Sequence, residues 1–174
     1  MCRNDGHCFF HMRTNSKSKA IIGFGNVLMG DEGVGVRAIE NLRESKRLGS
    51  GLRRNDGINA DLLDGGTSGM ILLHILEKYE HIIVIDAANF GGRPGEVRMF
   101  DMQTITLTPD TAQVSLHGAS LAGVIELAKK LSVKLPKITI IAVQPETIAP
   151  GMSLSNVCQS AIADIIKKCR RAIL

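Results

Sequence analysis

Apolar runs without polar alternation set the frame for this chain. Residues 82–85 read Ile-Ile-Val-Ile and residues 137–143 read Lys-Ile-Thr-Ile-Ile-Ala-Val. A strand of the first kind has no face to offer to water, so it predicts a parallel sheet covered by helices on both sides. A shorter run, 20–22, is followed at once by Gly23-Phe24-Gly25-Asn26-Val27-Leu28-Met29-Gly30-Asp31-Glu32-Gly33-Val34-Gly35-Val36-Arg37. Helical spacing resumes at Val34, Ile39 and Leu42, making this stretch the turn between a first strand and a first helix. Gly23 and Gly25 suit a tight turn or a close backbone approach.

The remaining punctuation follows the same alternation. A second strand at 60–63 ends at Asp64-Gly65-Gly66, and Thr67 or Ser68 is expected to cap a helix with Ile71, Leu72, Ile75, Leu76 and Tyr79 on one face. Asp86 ends the third strand. Turn residues around Pro94 lead to an antiparallel edge strand at 96–100, and a polar connection at 101–114 leads through Ser115 to a helix at 116–131. The strand at 137–143 stops at Gln144-Pro145, before a last helix at 154–172. The expected fold is a single α/β domain, a mostly parallel twisted sheet of about five strands with helices on both faces. Residues 1–18 are polar and read as a disordered extension that folding does not need; the folded domain is 19–174. Cys2, His7, Cys8 and His11 in that extension fit no standard zinc spacing.

Several function classes are disfavoured. A G-x-G after a strand invites a dinucleotide, yet the third glycine is replaced by Leu28, and Asp31 and Glu32 put negative charge where a phosphate would sit. No nucleotide cofactor is expected, and a cation suits the loop better. A formal charge of +4 with one Tyr and no Trp offers little for nucleic acid. No apolar run reaches the ~20 residues of a membrane span, and the polar start lacks a signal-peptide core, so the cytoplasm is the expected compartment. Cys158 and Cys169 fall in one predicted helix, about 16 Å apart along its axis, and are expected to be reduced thiols.

GFGNVLMGDEGVG and the helix after it resemble the opening of the nickel-iron hydrogenase maturation endopeptidases. LLDGGTSG around Asp64, IIVIDAANFGGRPGEV around Asp86, SLHGASLAGVIELA around His117 and IIAVQPETIAPGMSLS at 140–155 match the family in order. The resemblance covers roughly residues 19–172. It implies an endopeptidase that removes a C-terminal extension from the hydrogenase large-subunit precursor once nickel has been inserted. Nickel is then carried by the substrate, and the partner is that precursor, with a monomeric protease expected.

The residues support a cation site beside that resemblance. Glu32 follows the first strand, Asp86 ends the third, and His117 opens a helix, so all three can meet on the rim where α/β sheets collect ligands. Two carboxylates and an imidazole suit nickel or zinc. Singly, Glu32 could serve a helix dipole, Asp86 a turn and His117 a helix entrance; in the family the matching three bind the metal. The motif match selects Glu32 rather than Asp31. Asp64 is the candidate auxiliary catalytic carboxylate, with a turn-forming role as the alternative; Glu146 is left outside the site. H-E-x-x-H and G-x-S-x-G are both missing. A metal-activated water and an acid/base carboxylate both remain open as mechanisms. A nickel or zinc carrier or maturation chaperone without hydrolysis is the competing class.

Overall fold

The computed structural model describes residues 19–48, 58–102 and 121–174. Expectations for residues 1–18, for Ser115 and His117, and for most of the 101–114 connection lie outside the described residues. The elements run β1 (Lys19–Phe24), α1 (Val34–Leu48), β2 (Asp61–Gly66), α2 (Ile71–Ile75), β3 (His81–Ala87), β4 (Val97–Asp101), α3 (Leu121–Lys130), β5 (Lys137–Val143) and α4 (Asn156–Ile173). A short 3-10 turn, Gly30–Gly33, precedes α1. The five strands form one sheet in the order β2-β1-β3-β5-β4. Only β4 runs antiparallel, against β5. The expected architecture is the observed one.

Strand parity sorts the core into two layers. Ile21, Ile83, Ile85, Ile141 and Val143 face α1 and α4, meeting Ile39, Leu42, Ile162 and Ile165. Ile22, Phe24, Ile82, Val84, Ile138 and Ile140 face the other way, onto Leu72, Leu76, Val124 and Ala128 of the α2 and α3 layer. Every residue of β3 is buried, which is why its sequence shows no alternation. Cys158 and Cys169 are buried free thiols of α4, and burial pushes Cys169 up to about 12.

The path of the chain creates a switch point. From β1 the chain crosses through α1 to β2 on one side; from β2 it returns through α2 to β3 on the other side of β1. The carboxyl ends of β1 and β3 are therefore neighbours from which the connections diverge, leaving a crevice between them. α1 is drawn tightly against these strands through glycine. A Cβ at Gly35 would lie 2.3 Å from the Phe24 carbonyl oxygen and 2.5 Å from that of Ile85, so only glycine fits there. Gly25 has φ +134°, and its missing Cβ would lie 1.8 Å from the Glu32 carbonyl oxygen.

Three local expectations are corrected. β2 extends through Asp64 to Gly66 and β3 through Asp86 to Ala87, so both acids lie within strands rather than beyond them. Parallel partners continue past the apolar runs because neighbouring strands supply the ladder, whatever the side chain. The second helix is a short Ile71–Ile75 whose N-cap is Met70, without a side-chain cap; neither Thr67 nor Ser68 plays that part. The last helix does begin on a capping side chain, Ser155 Oγ accepting from the Cys158 N–H at 3.3 Å.

Two stability outcomes follow. Gly35→Ala should cost about 3 kcal/mol or more, because both obstructing atoms are backbone carbonyls of central strands. Gly66→Ala, at φ +51° with nothing within 4 Å of the added carbon, should cost about 1 kcal/mol of strain only. Urea denaturation of the two variants checks the difference. At the opposite end of the sheet, His81 is buried and shares a 2.9 Å hydrogen bond between Nε2 and Thr139 Oγ1. Burial, then the charges of Lys137 and Lys19, hold its pKa below the ordinary value, with Asp101 opposing. A depressed histidine stabilises the fold above the unfolded-state value of about 6.5 and loses that contribution as pH falls through and below it. Denaturation midpoints between pH 8 and 5 should decline less in His81→Gln than in the parent chain.

Candidate functional site

The loop after β1 begins with Gly25; the next residue, Asn26, accepts from the Leu28 N–H through its side chain at 3.0 Å, and the loop closes into the Gly30–Gly33 turn. Within that turn lies Asp31, with no exposed surface. A buried carboxylate is costly unless donors surround it. Here the Glu146 and Thr147 N–H groups donate to Oδ2 at 2.9 and 3.2 Å, Ser155 N–H donates to Oδ1 at 2.7 Å, and Ser155 Oγ–H donates to Oδ2 at 2.9 Å. Burial alone would push this carboxyl up, but the Ser155 and Thr147 amides, the Ser155 hydroxyl and the Glu146 amide together hold it below its usual range. Asp31 is thus a brace between the loop after β1 and the loop after β5. A parallel bridge of Met29 with Gly151 adds two bonds, from Gly30 N–H to the Gly151 carbonyl at 2.8 Å and from Gly151 N–H to that of Leu28 at 2.9 Å.

Glu32 is the next residue, half-buried in the same turn. Asp86 lies on β3, opposite Ala142 of β5 and one residue past the Gly23–Ile85 pair. It is 1% exposed, and among the described residues its Oδ2 has no hydrogen-bond partner. Burial, opposed by an Ala87 N–H bond and reinforced by the charge of Glu32, raises its pKa well above the ordinary carboxylate range. Glu32, in the turn after β1, and Asp86, near the end of β3, both stand at the switch point, and the charge of Glu32 acts on Asp86. Among the described residues, no group of three or more His, Cys, Asp and Glu side chains is disposed to hold a metal ion. His117 lies outside the described residues, four positions before α3 begins at Leu121.

Asp64 stands at the carboxyl end of β2, level with Gly23 of β1, and is exposed. Its Oδ1 accepts from the Gly66 N–H at 2.8 Å, the contact a turn-forming aspartate makes. Glu146 is exposed and meets Asp31 through its backbone N–H. His74 is on α2, and His81 is at the amino end of β3, away from this rim.

Sequence reasoning missed two positioning residues. One is Asp31 as a brace. The other is Gln144, buried directly after β5, whose Oε1 accepts from the Phe90 and Gly92 N–H groups at 3.0 and 3.1 Å. Its Nε2 donates to Asn89 Oδ1 at 3.3 Å, and its backbone exchanges bonds with Gly95 and Glu96, so it clamps the loop that continues from Asp86. A polar residue at the end of an otherwise apolar run was the available signal.

Replacing Asp31 with Ala should leave four donors facing a void and cost on the order of 3 kcal/mol. Calorimetric melting checks this. The acid-side loss of stability should also shrink in Asp31→Ala. A lowered carboxyl stabilises the fold above its unfolded value and surrenders that contribution as pH falls through the folded one.

Comparison with known proteins bears on this arrangement. The family model described as hydrogenase maturation protease matches residues 36–172. Hydrogenase expression/formation protein HoxM of Cupriavidus necator is 30% identical over 148 residues, covering 84% of this chain and 69% of that protein. HupD of Rhodobacter capsulatus is 36% identical over 125 residues, 72% of this chain; the chain spans only 56% of that relative's length. The hydrogenase maturating endopeptidase HybD of Escherichia coli superposes with a TM-score of 0.65 at 25% identity, covering 86% of this chain and 88% of its own. By the extent of the family match and the identity to HoxM, the chain belongs to the hydrogenase maturation proteases, a family of peptide hydrolases.

Proposed function

We propose that this chain is the endopeptidase that cuts the C-terminal extension from a nickel-iron hydrogenase large-subunit precursor, and that it recognises the nickel already bound in that precursor through Glu32, Asp86 and His117. The observation that carries the metal-reading part is Asp86. Among the described residues its Oδ2 has no hydrogen-bond partner, and the charge of Glu32 adds to the cost of its burial. A divalent cation answers both at once. The donors are oxygen atoms and one imidazole nitrogen, which suit nickel; the Cys158 thiol near this edge is buried and donates to the Gln144 carbonyl at 3.7 Å.

Nickel here is part of the substrate, and its chemistry is to draw electron density from the groups it touches. The contribution of the chain is placement. Glu32 and Asp86 engage the ion from the carboxyl ends of β1 and β3, fixing the precursor so that its scissile segment lies along the rim. Asp64, on the adjacent β2 end, is positioned on the same edge to orient water or hold a proton. The absence of a nucleotide partner follows from the same charges, since Asp31 and Glu32 occupy the turn a phosphate would need.

The test uses purified chain and nickel-loaded precursor, followed by the mass of the precursor. The parent chain should release the extension, and nickel-free precursor should remain whole. Glu32→Gln, Asp86→Asn and His117→Ala should each slow cleavage by about 100-fold or more while melting as cooperatively as the parent. Cleavage by His117→Ala at the parent rate removes that residue from the site. An unchanged precursor mass with the parent chain rejects the protease and leaves a carrier. Asp64→Asn and Asp64→Ala separate the two roles of that residue: Asn keeps the turn bond through its amide oxygen, so a lost rate in Asn marks an auxiliary catalyst, whereas a turn former loses stability only in Ala.

A further inference from the structure

The rim that holds Glu32 also carries an exposed apolar surface. Among the described residues, five large hydrophobic side chains are more than half exposed: Leu28 (58%), Leu131 (58%), Ile148 (51%), Met152 (68%) and the terminal Leu174 (99%). Three of the five, Leu28, Ile148 and Met152, lie on just two loops, those that Asp31 braces together. Leu28 is adjacent to the Met29–Gly151 bridge on one strand of it and Met152 on the other. Loop 147–153 closes around Gly30, where an added Cβ would lie 3.4, 3.6 and 3.9 Å from the carbonyl oxygens of Ala149, Thr147 and Ser153.

Two properties distinguish this patch from scattered surface apolar residues. First, it is held in place. Four hydrogen bonds to Asp31, two across the bridge and one from Arg37 to the Met152 carbonyl at 3.0 Å fix its backbone, so Ile148 and Met152 are presented outward on a rigid loop. A pre-ordered surface loses little entropy on binding. Second, residues 147–153 are all exposed and contain no charge, Thr-Ile-Ala-Pro-Gly-Met-Ser, which selects an apolar partner over an ionic one. Four positions after Leu28, on the loop after β1, is Glu32, whose charge acts on the buried Asp86.

The geometry points to Leu28, Ile148 and Met152 as a docking platform for an apolar surface of the nickel-loaded precursor, next to the metal that Glu32 and Asp86 engage. The occupant is one polypeptide carrying both features, because Leu28 and Glu32 share the loop after β1, to which the loop carrying Ile148 and Met152 is bonded through Asp31 and the Met29–Gly151 bridge. The platform rests on the protease reading above and adds to it the determinant of precursor affinity. It separates two tasks: the acids read the metal, and the apolar loop supplies affinity for the protein around it.

The experiment measures processing of the nickel-loaded large-subunit precursor from the same genome by three proteins: the parent chain, Ile148→Ser/Met152→Ser, and the control Leu131→Ser. Leu131 is equally exposed but follows α3 at the amino edge of the sheet. The platform requires KM to rise about tenfold in the double variant, with turnover retained at saturating precursor and melting temperature unchanged; Leu131→Ser should match the parent. An unchanged KM in the double variant, with the parent chain active, overturns the platform and leaves the protease reading standing. Failure of the parent chain to cleave overturns both. Sedimentation of the parent as a dimer and of the double variant as a monomer assigns the patch to a second copy of this chain and also overturns the proposal.

Discussion

A carboxylate removed from water must be given donors or give up its charge. Asp31 is given four, and all come from the loop after β5, more than a hundred residues away along the chain. That single solution settles much of the carboxyl edge. It closes the Gly30–Gly33 turn, orders the loop from Glu146 to Ser155, and leaves Ser155 to cap α4 through its Cys158 bond. The last helix, the last loop and the first turn are therefore set by one buried group. Because the brace crosses between the first and last strands of the parallel set, it forms only when the whole sheet has assembled.

The sheet in turn explains why the acids meet where they do. β1 lies between β2 and β3; the connection leaving β1 runs to β2, and the one leaving β3 runs away to β4 and β5, so the connections from the two strands diverge at the crevice between them. The contact of Gly35 with the backbones of Phe24 and Ile85 brings the start of α1 close to both strands. Glu32, two residues before α1, is carried to the crevice by the same approach. Asp86 arrives from the other side by extending β3 one step beyond its apolar run. Parity sends Asp86 to the face of Ile82 and Val84, the layer that contains α2 and α3.

The architecture was readable from the sequence because its signals are local. Unalternated runs at 82–85 and 137–143 require burial on both faces, and the edge strand after Pro94 announces itself by turn residues and mixed polarity. The antiparallel β4 and the two-sided sheet follow. Glu32 and Asp86 could be placed on one rim for the same reason, since strand ends in a parallel sheet share an edge. What escaped was non-local. Nothing near Asp31 distinguishes a brace from a ligand, because the donors that saturate it lie at 146, 147 and 155. Gln144 likewise looks like a strand terminator until Phe90 and Gly92 are seen to donate to it. The cap assigned to Thr67 or Ser68 failed because propensity names candidates for a helix start, and α2 is too short and too tightly held by Leu72 and Leu76 for a cap to choose its first residue. Residues 103–120, with His117 among them, lie outside the described residues, so that part of the site rests on the sequence.

Three acids on one edge have received three different environments, and the difference lies in how donors are distributed. The amides of the loop after β5 all turn toward Asp31, which consequently stays charged and inert. Asp86, equally deep, receives only the Ala87 amide and keeps one oxygen unpartnered among the described residues. Buried polar atoms are rarely left in that state without a reason, since each costs about 1–3 kcal/mol. The fold could have spared that cost by placing an Asn or an apolar residue on β3, whose neighbours Val84 and Ala88 are apolar. Retaining a carboxylate there, with the charge of Glu32 raising the cost further, is the observation that supports the proposed cation, which would supply the compensating positive charge. Asp31 and Glu32 are adjacent in sequence and identical in charge, yet Asp31 is saturated by donors from a loop more than a hundred residues away and holds two loops together, whereas the charge of Glu32 acts on the buried Asp86.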